Sequence, residues 1–271
     1  MKRVITGTLL AAVVLAGVRL GPVWLIAAFI ALVLVLAVHE LVNVLGSTPA
    51  RPWRVVVYPG ALVTAGCFLM PEPQLGAVLT GVLVIACATA VLATGEPLSR
   101  LCRLMGTVFS IAYIGVTLGH LLGLLVSNLP RARETGEDLL ILAIVVVYVG
   151  DTLAYYGGRA FGSHRLAPVI SPAKTWEGAI AGVLGSIAGA LLATFWFYRA
   201  LPAGHAIAIG VLLGVAGILG DLTESLIKRA AAVKDSGALL PGHGGFLDRI
   251  DSLLFAAPIL YWYHRIVLVG P

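Results

Sequence analysis

Long apolar runs constrain the fold of this chain more than any other feature. Of its 271 residues, 59% are hydrophobic and only 11% are charged, whereas about a quarter of the residues in a soluble domain are charged. A run of about 18 or more apolar residues is long enough to cross a bilayer as a helix. Within lipid the backbone must satisfy its own hydrogen bonds, which favours helices for such runs. The sequence therefore predicts an all-α, polytopic integral membrane protein.

The apolar runs divide the chain into about nine predicted transmembrane helices. They cover residues 4–20, 22–42, 54–70, 74–94, 104–126, 139–157, 176–198, 204–226 and 251–269. The N-terminal region, residues 1–135, carries only apolar spans, and we expect it to serve packing and to line a lipid pocket. The C-terminal region, residues 136–271, carries the polar motifs. The opening Met-Lys-Arg before an apolar run is also typical of a signal peptide, but we interpret it as a retained first helix.

The distribution of Lys and Arg predicts the orientation of these helices. With the N-terminus in the cytoplasm, 13 of the 18 basic residues fall in inner segments, as the positive-inside rule requires. The motifs of the C-terminal region then lie on the cytoplasmic side, where nucleotides are available. The net charge of +5 reflects this topology. No long basic run or aromatic-interleaved motif predicts nucleic acid as a partner.

Small residues inside the spans are interpreted as packing residues. Three isolated cysteines lie in or beside apolar segments without metal-ligand spacing, so we expect them to be inert. Glycines spaced four residues apart let helix backbones approach closely in lipid, and this spacing also allows a homodimer. The glycine pairs are Gly178/Gly182, Gly185/Gly189 and Gly210/Gly214.

The first polar motif lies at the inner end of span six. Asp151 and Tyr155 are four residues apart and share one helix face. An aspartate within an apolar run needs a partner or a cavity. Asp151 therefore either forms a structural pair, with Arg159 or with a neighbouring helix, or contributes to a polar pocket.

The second motif, Ser171-Pro-Ala-Lys-Thr-Trp-Glu-Gly178, leads into span seven. Ser171 is a candidate N-cap with proline at the first helical position, and Thr175 is an equal candidate. Backbone N–H groups and the helix dipole favour anions at such a terminus. Plain capping with Lys174 extending to the interface, and a phosphate clamp, both fit this motif.

The third motif, residues 220–252, combines carboxylates, basic residues, a histidine and glycines. Asp221, Glu224 and Lys228 share one face of the helix that continues from span eight, and Asp248 and Asp251 share one face at the start of span nine. If the two spans are antiparallel, Asp221 and Asp248 can face each other. Paired carboxylates repel unless a cation joins them, and Mg²⁺ takes one or two carboxylates together with phosphate oxygens.

The third motif resembles the signature of phosphatidate cytidylyltransferases, also called CDP-diacylglycerol synthases. The two other motifs are similar to motifs of the same family, so the resemblance covers about residues 150–252. The matching residues of the signature are Ser225, Lys228, Arg229, Lys234, Asp235, Gly237, Leu240, Pro241, His243, Gly244, Gly245, Asp248, Arg249 and Asp251.

The resemblance implies that CTP and phosphatidate react to give CDP-diacylglycerol and pyrophosphate. It implies dependence on Mg²⁺, with a monovalent cation such as K⁺ as a second cation, and a site open to the cytoplasm and the inner leaflet of a bacterial-type plasma membrane. It also implies that Asp221 and Asp248 hold the metal, and we add Asp251 as a further candidate ligand.

The remaining site residues follow from the charge of the substrates. We expect Lys228, Arg229, Lys234 and Arg249 to neutralise the triphosphate and the leaving group. Lys174 and Thr175 are assigned to either the lipid phosphate or the triphosphate. The other candidate substrate-binding residues are Ser171, His243, Gly244, Gly245, Asp235 and Asp151.

Two other functions remain open. A CTP-dependent lipid-alcohol kinase would send the γ-phosphate to a hydroxyl and release CDP, with Asp151 or His243 as base. A transporter would use Asp151 and Asp221 as ion-coupling carboxylates, although the clustering of polar residues on one side favours chemistry at a surface. The aspartate pattern of the CDP-alcohol phosphotransferases is absent.

Overall fold

A computed structural model of the chain describes residues 14–70, 74–127, 133–237 and 244–269. His243 and most of the predicted first span lie outside the described residues. Within the described ranges nearly all regular structure is helical.

The N-terminal region consists of six described helices. Residues 14–20 form α1. The others are α2 (Val23–Leu45), α3 (Arg54–Gly66, continued by a 3-10 turn over Cys67–Leu69), α4 (Leu75–Leu92), α5 (Pro97–Ser110) and α6 (Thr117–Val126). A π-helical segment, Ile111–Val116, joins α5 to α6 without a break. Pro97 occupies the first turn of α5, where its missing N–H leaves no hydrogen bond unmade.

The C-terminal region contains four helices and a small hairpin. The helices are α7 (Arg133–Phe161), α8 (Trp176–Trp196), α9 (Ala203–Ala230) and α10 (Leu247–Tyr263), and a π-helical segment, His264–Leu268, extends α10. Between α7 and α8, β1 (Arg165–Ala167) and β2 (Ser171–Thr175) pair antiparallel, with Arg165 opposite Thr175. The hairpin departs from the purely helical prediction.

Six described helices are long and apolar enough to cross a membrane. They are Val23–Leu45, Leu75–Leu92, Pro97–Val126, Thr135–Phe161, Trp176–Trp196 and Ala203–Ala230. This confirms an α-helical membrane protein. The count of nine spans and the cytoplasmic N-terminus stay predictions.

The glycine pairs bring α7, α8 and α9 into close contact. A Cβ on Gly182 would lie 3.0 Å from the Cβ of Ala154, and one on Gly210 would lie 2.5 Å from the Cα of Ile187. Ala154 lies on α7 and Ile187 on α8 of the same chain, so these glycines allow neighbouring helices of one subunit to pack closely. The interpretation of these glycines as packing residues fits this arrangement. They are already covered within the subunit and so lend no support to a homodimer.

The N-terminal region packs against the C-terminal region at both ends of α2. Arg19, just before α2, donates a hydrogen bond of 2.6 Å to Asp138 of α7. Near the other end of α2, Glu40 accepts hydrogen bonds from Ser236, Phe246 and Leu247. The 17 residues between Val23 and Glu40 correspond to about 25 Å of helix, so these two contacts lie far apart.

We expect the substitution Gly106→Ala to destabilise the protein. A Cβ at this position of α5 would lie 1.8 Å from the carbonyl oxygen of Ala50, so the backbone must shift at a cost of roughly 1–3 kcal/mol. Unfolding in detergent, followed by intrinsic fluorescence, should occur at a lower temperature.

The matched control is Gly81→Ala in α4, where a Cβ would meet nothing within 4 Å. Alanine is favoured over glycine inside a helix by up to about 1 kcal/mol, so this variant should be at least as stable as the original chain. Equal unfolding temperatures for both variants would contradict the close contact at Gly106.

Candidate active site

Three carboxylates converge where α9 crosses α10. Asp221 and Glu224 lie on α9 and Asp251 lies on α10, and one oxygen from each is within 4.8 Å of the others. Glu224 is only 1% exposed. The close crossing requires Gly220, because a Cβ there would lie 2.4 Å from the carbonyl oxygen of Asp251.

The donor set of this carboxylate cluster, Asp221, Glu224 and Asp251, suits a small divalent cation. Mg²⁺ prefers oxygen ligands about 2.1 Å away, and oxygens on one such ion are separated by roughly 3–4 Å by that geometry. The carboxylate oxygens of the cluster are up to 4.8 Å apart. Small side-chain movements would therefore be enough to bring them around one ion.

Two lysines contact these acidic groups. Lys174, from β2, places its Nζ 2.5 Å from Asp221 Oδ2. Lys228, on α9, forms an ion pair with Glu224 and places its Nζ 2.5 Å from Asp248 Oδ1. The Lys174–Asp221 ion pair therefore joins the second and third motifs, and both lysines hold positive charge beside the acidic groups.

Asp248 has a different environment from the one predicted for it. Its Oδ2 accepts hydrogen bonds from the backbone N–H of Ser236 (3.2 Å), the hydroxyl of Ser236 (3.0 Å) and the N–H of Gly245 (2.8 Å). Asp248 lies outside the six candidate spans. Burial acts to raise the pKa of Asp248, but hydrogen bonds from Lys228 and from the N–H of Gly245, together with the Lys228 charge, outweigh burial and lower the pKa to about 2. Asp248 is therefore ionised, and its role as a metal ligand stays a prediction.

Glu40 is a buried polar residue that the sequence analysis missed. It lies in α2, is 2% exposed, and accepts hydrogen bonds from Ser236, Phe246 and Leu247. The sequence did contain a signal for Glu40, since a lone carboxylate within an apolar run implies a polar partner.

Glu224 was placed on the same helix face as Asp221 by the sequence, but it was not predicted to be a site residue.

The structure decides between the two candidate caps of the second motif. Helix α8 begins at Trp176, and Thr175 Oγ1 accepts a hydrogen bond of 3.1 Å from the N–H of Gly178. Ser171 is not an N-cap, because Ser171–Thr175 forms β2. Pairing with β1 holds this segment extended, so the helix cannot begin at Ser171. Substrate binding by Ser171 and Thr175 stays a prediction.

The other predicted site residues surround this centre. Asp151 accepts a hydrogen bond of 3.4 Å from the hydroxyl of Ser252. The Arg229 Nε donates to the carbonyl of Ile170 at 3.3 Å, which connects the end of α9 to the hairpin turn. Gly244 has a φ of 78°, a conformation that suits glycine. The remaining predicted residues, which are solvent-exposed, are Lys234, Asp235 and Arg249.

The sequence matches the cytidylyltransferase family over residues 1–267. It is 43% identical over 137 residues to a phosphatidate cytidylyltransferase of Haemophilus influenzae, covering 49% of this chain and 48% of that protein. It is 37% identical over 194 residues to a phosphatidate cytidylyltransferase of Brucella abortus biovar 1, covering 70% of this chain and 71% of that protein.

A longer alignment links the chain to the uncharacterized protein YnbB of Escherichia coli (strain K12). The two are 34% identical over 251 residues, which covers 90% of this chain and 80% of YnbB. The alignment with the Haemophilus influenzae protein, in contrast, spans about half of that relative's length.

Proposed function

This chain belongs to the cytidylyltransferase family, a family of nucleotidyltransferases, and from that premise we propose that it transfers the cytidylyl group of CTP to phosphatidate. The products are CDP-diacylglycerol and pyrophosphate. The names of the Haemophilus influenzae and Brucella abortus relatives support these substrates. The observation that carries the proposal is the carboxylate cluster with lysines from two motifs beside it.

The proposed reaction needs no nucleophile from the protein. An oxygen of the phosphatidate phosphate forms a bond to the α-phosphorus of CTP, and the bond from that phosphorus to the oxygen bridging to the β-phosphate breaks. The bonding electron pair leaves with pyrophosphate, and no proton has to be removed from the attacking phosphate. The protein must therefore align the two anions and offset their charge.

Asp221, Glu224 and Asp251 are the residues that would hold Mg²⁺, and Asp248 stays a predicted ligand. When bound, Mg²⁺ offsets the negative charge of the phosphates and helps to orient them. A second cation, such as K⁺, is part of the same proposal. The ion pairs of Lys174 with Asp221 and of Lys228 with Glu224 keep the acidic groups from repelling each other before substrates bind.

Lysines and arginines at this end of the protein are proposed to bind the substrate phosphates. Lys228 and Lys174 lie beside the carboxylate cluster, so we assign them to the reacting phosphates. Exposed Lys234 and Arg249 are assigned to the triphosphate further from the cluster, together with Arg229. We further propose that this end faces the cytoplasm of a bacterial-type inner membrane, since the predicted topology places 13 of the 18 basic residues on that side.

Release of pyrophosphate from CTP by purified protein tests the proposed reaction. We expect release only when phosphatidate and Mg²⁺ are both present, with CDP-diacylglycerol formed in equal amount. Release of CDP with phosphorylation of a lipid alcohol would instead identify a kinase. Substrate-driven flux in liposomes without CTP turnover would identify a transporter.

The substitution Lys234→Ala should weaken the use of CTP in a protein that still folds. Lys234 is exposed and makes no described contact that stabilises the fold, so its loss should raise the KM for CTP about tenfold, the equivalent of one phosphate contact. Steady-state kinetics with CTP varied at saturating phosphatidate measures this effect. Arg165→Ala, in exposed β1, is the control and should leave the KM unchanged. An unchanged KM in Lys234→Ala would remove Lys234 from the site.

A further inference from the structure

Glu40 connects the N-terminal region to the segment that precedes α10. Its Oε1 accepts a hydrogen bond of 2.9 Å from the N–H of Phe246, and its Oε2 accepts one of 2.7 Å from the N–H of Leu247. Both donors belong to the first turn of α10, where N–H groups have no partner within the helix. A carboxylate is also favoured there by the helix dipole.

The hydroxyl of Ser236 lies between Glu40 and Asp248. It is 3.1 Å from Glu40 Oε2 and 3.0 Å from Asp248 Oδ2. A hydroxyl has one proton to donate, so it can serve only one of the two carboxylates at a time. The backbone N–H of Ser236 donates to Asp248 as well. Ser236 therefore transmits the position of Glu40 to Asp248, and through Asp248 to Lys228.

Two glycines of the third motif leave room for Glu40. A Cβ on Gly237 would lie 2.5 Å from Glu40 Oε1, and one on Gly245 would lie 1.9 Å from Ser236 Oγ and 2.7 Å from Glu40 Oε2. These distances are too short for any other residue unless the Glu40 carboxylate or the Ser236 side chain moves away. Close packing around Glu40 thus explains why glycine occupies both positions.

Within the described part of the chain, no Lys or Arg pairs with Glu40. Its described donors are two backbone N–H groups and one hydroxyl, all from residues 236–247. Burying a carboxylate is costly unless hydrogen bonds compensate it. An apolar side chain at this position would pack in α2 without that cost, so packing alone does not account for a glutamate here.

We propose that Glu40 is a positioning residue, which holds Ser236 and the start of α10 against α2 so that Asp248 and Lys228 are correctly oriented for the reaction. The inference rests on the proposed function for its catalytic consequence. It assigns to the N-terminal region a direct part in organising the active site, beyond packing and the lipid pocket.

The isosteric substitution Glu40→Gln tests this role. A glutamine can accept at only one of the two terminal positions and presents an NH₂ group at the other, so one of the N–H groups of Phe246 and Leu247 loses its acceptor. We expect kcat/KM for CTP to fall roughly tenfold, the ratio expected when one buried hydrogen bond is lost. The KM for phosphatidate should change little. Gly237→Ala, which displaces the same carboxylate, should give the same pattern.

The control is Arg19→Gln, which breaks a polar contact between the two regions near the far end of α2. It should lower the unfolding temperature without altering kcat/KM for CTP. If Glu40→Gln and Arg19→Gln lower stability equally and neither alters the kinetics, the positioning role is overturned.

Hydrogen exchange gives a readout that does not depend on turnover. In Glu40→Gln the amides of a peptide covering residues 244–250 should exchange faster than in the original chain, and in Arg19→Gln they should not. Unchanged exchange in Glu40→Gln would overturn the inference. If the original chain fails to convert CTP and phosphatidate, the proposed function is wrong, whereas the exchange comparison still decides whether Glu40 holds this segment.

Discussion

Replacing Asp221 with asparagine should reduce turnover of CTP at least about 100-fold, because a neutral amide offsets less cationic charge and binds Mg²⁺ poorly. Asp221 shares the carboxylate cluster with Glu224 and Asp251 and forms an ion pair of 2.5 Å with Lys174. It thus contacts both the predicted metal site and the second motif. The variant should also need a higher Mg²⁺ concentration for half-maximal activity.

The matched control for Asp221→Asn is Asp138→Asn at the opposite end of the bundle. Asp138 is also an aspartate paired with a basic residue, Arg19, so the chemical change is the same, and its side chain is more buried, at 13% exposed compared with 35% for Asp221. Turnover per folded molecule should be retained in this control. Binding of Mn²⁺, measured without CTP by its paramagnetic signal, should weaken in Asp221→Asn only. Near-normal turnover with an unchanged Mg²⁺ requirement would rule out Asp221 as a metal ligand.

The substitution Lys228→Met should cause a large loss of both stability and activity. Lys228 pairs with Glu224 and with Asp248, and the side chains of the three are between 1% and 14% exposed. Its removal leaves buried carboxylates without their counter-ion, at a cost of roughly 3 kcal/mol. We expect a clear drop in the unfolding temperature in detergent, together with loss of CTP turnover.

A double variant separates the two effects of Lys228. Glu224→Gln combined with Lys228→Met removes one of the unpaired carboxylates, so part of the lost stability should return. Turnover should remain low, since the double variant lacks both the cation proposed to contact the reacting phosphates and the Glu224 carboxylate proposed to hold Mg²⁺. If turnover returned in parallel with the unfolding temperature, Lys228 would have a structural role only.

The ion pairs at this site also bear on how substrates would bind. Lys174 reaches Asp221 from the hairpin, whereas Lys228 reaches Glu224 and Asp248 from within α9 and across to α10. Each lysine is paired with an acidic group, so binding of a cation to the carboxylates would leave the lysine free for a phosphate. The added cation and the added phosphate have opposite charges, so the net charge of the site would stay nearly balanced.

The carboxylate pairing illustrates how far the sequence analysis reached. Helical periodicity predicted that Asp221 shares a helix face with Glu224, and Asp248 with Asp251, since residues three apart lie on one face. Asp221 and Glu224 do meet in the cluster. It could not determine which residue of α10 meets α9. The contact between Gly220 and the backbone of Asp251 sets this register, and Asp251 joins the cluster while Asp248 turns to Lys228 and Ser236.

The second motif shows a different limit. Both Ser171 and Thr175 have side chains suited to capping, and local sequence preferences do not separate them. Pairing of β2 with β1, with Arg165 opposite Thr175, keeps residues 171–175 extended and moves the start of α8 to Trp176. The outcome depends on a hydrogen-bonded partner earlier in the chain, which the motif itself does not contain.

The sequence by itself determined that this is a helical membrane protein, because hydropathy and helical periodicity depend on neighbouring residues only. That the chemistry lies in the C-terminal region stays a prediction. Tertiary structure alone decided which polar groups meet. Glu40 and Ser236 are separated by 196 positions along the chain, and no local pattern relates them. Burial forces such groups to find partners wherever the packed helices bring donors and acceptors together, so the partners of Glu40 and Asp248 became evident only in the folded chain.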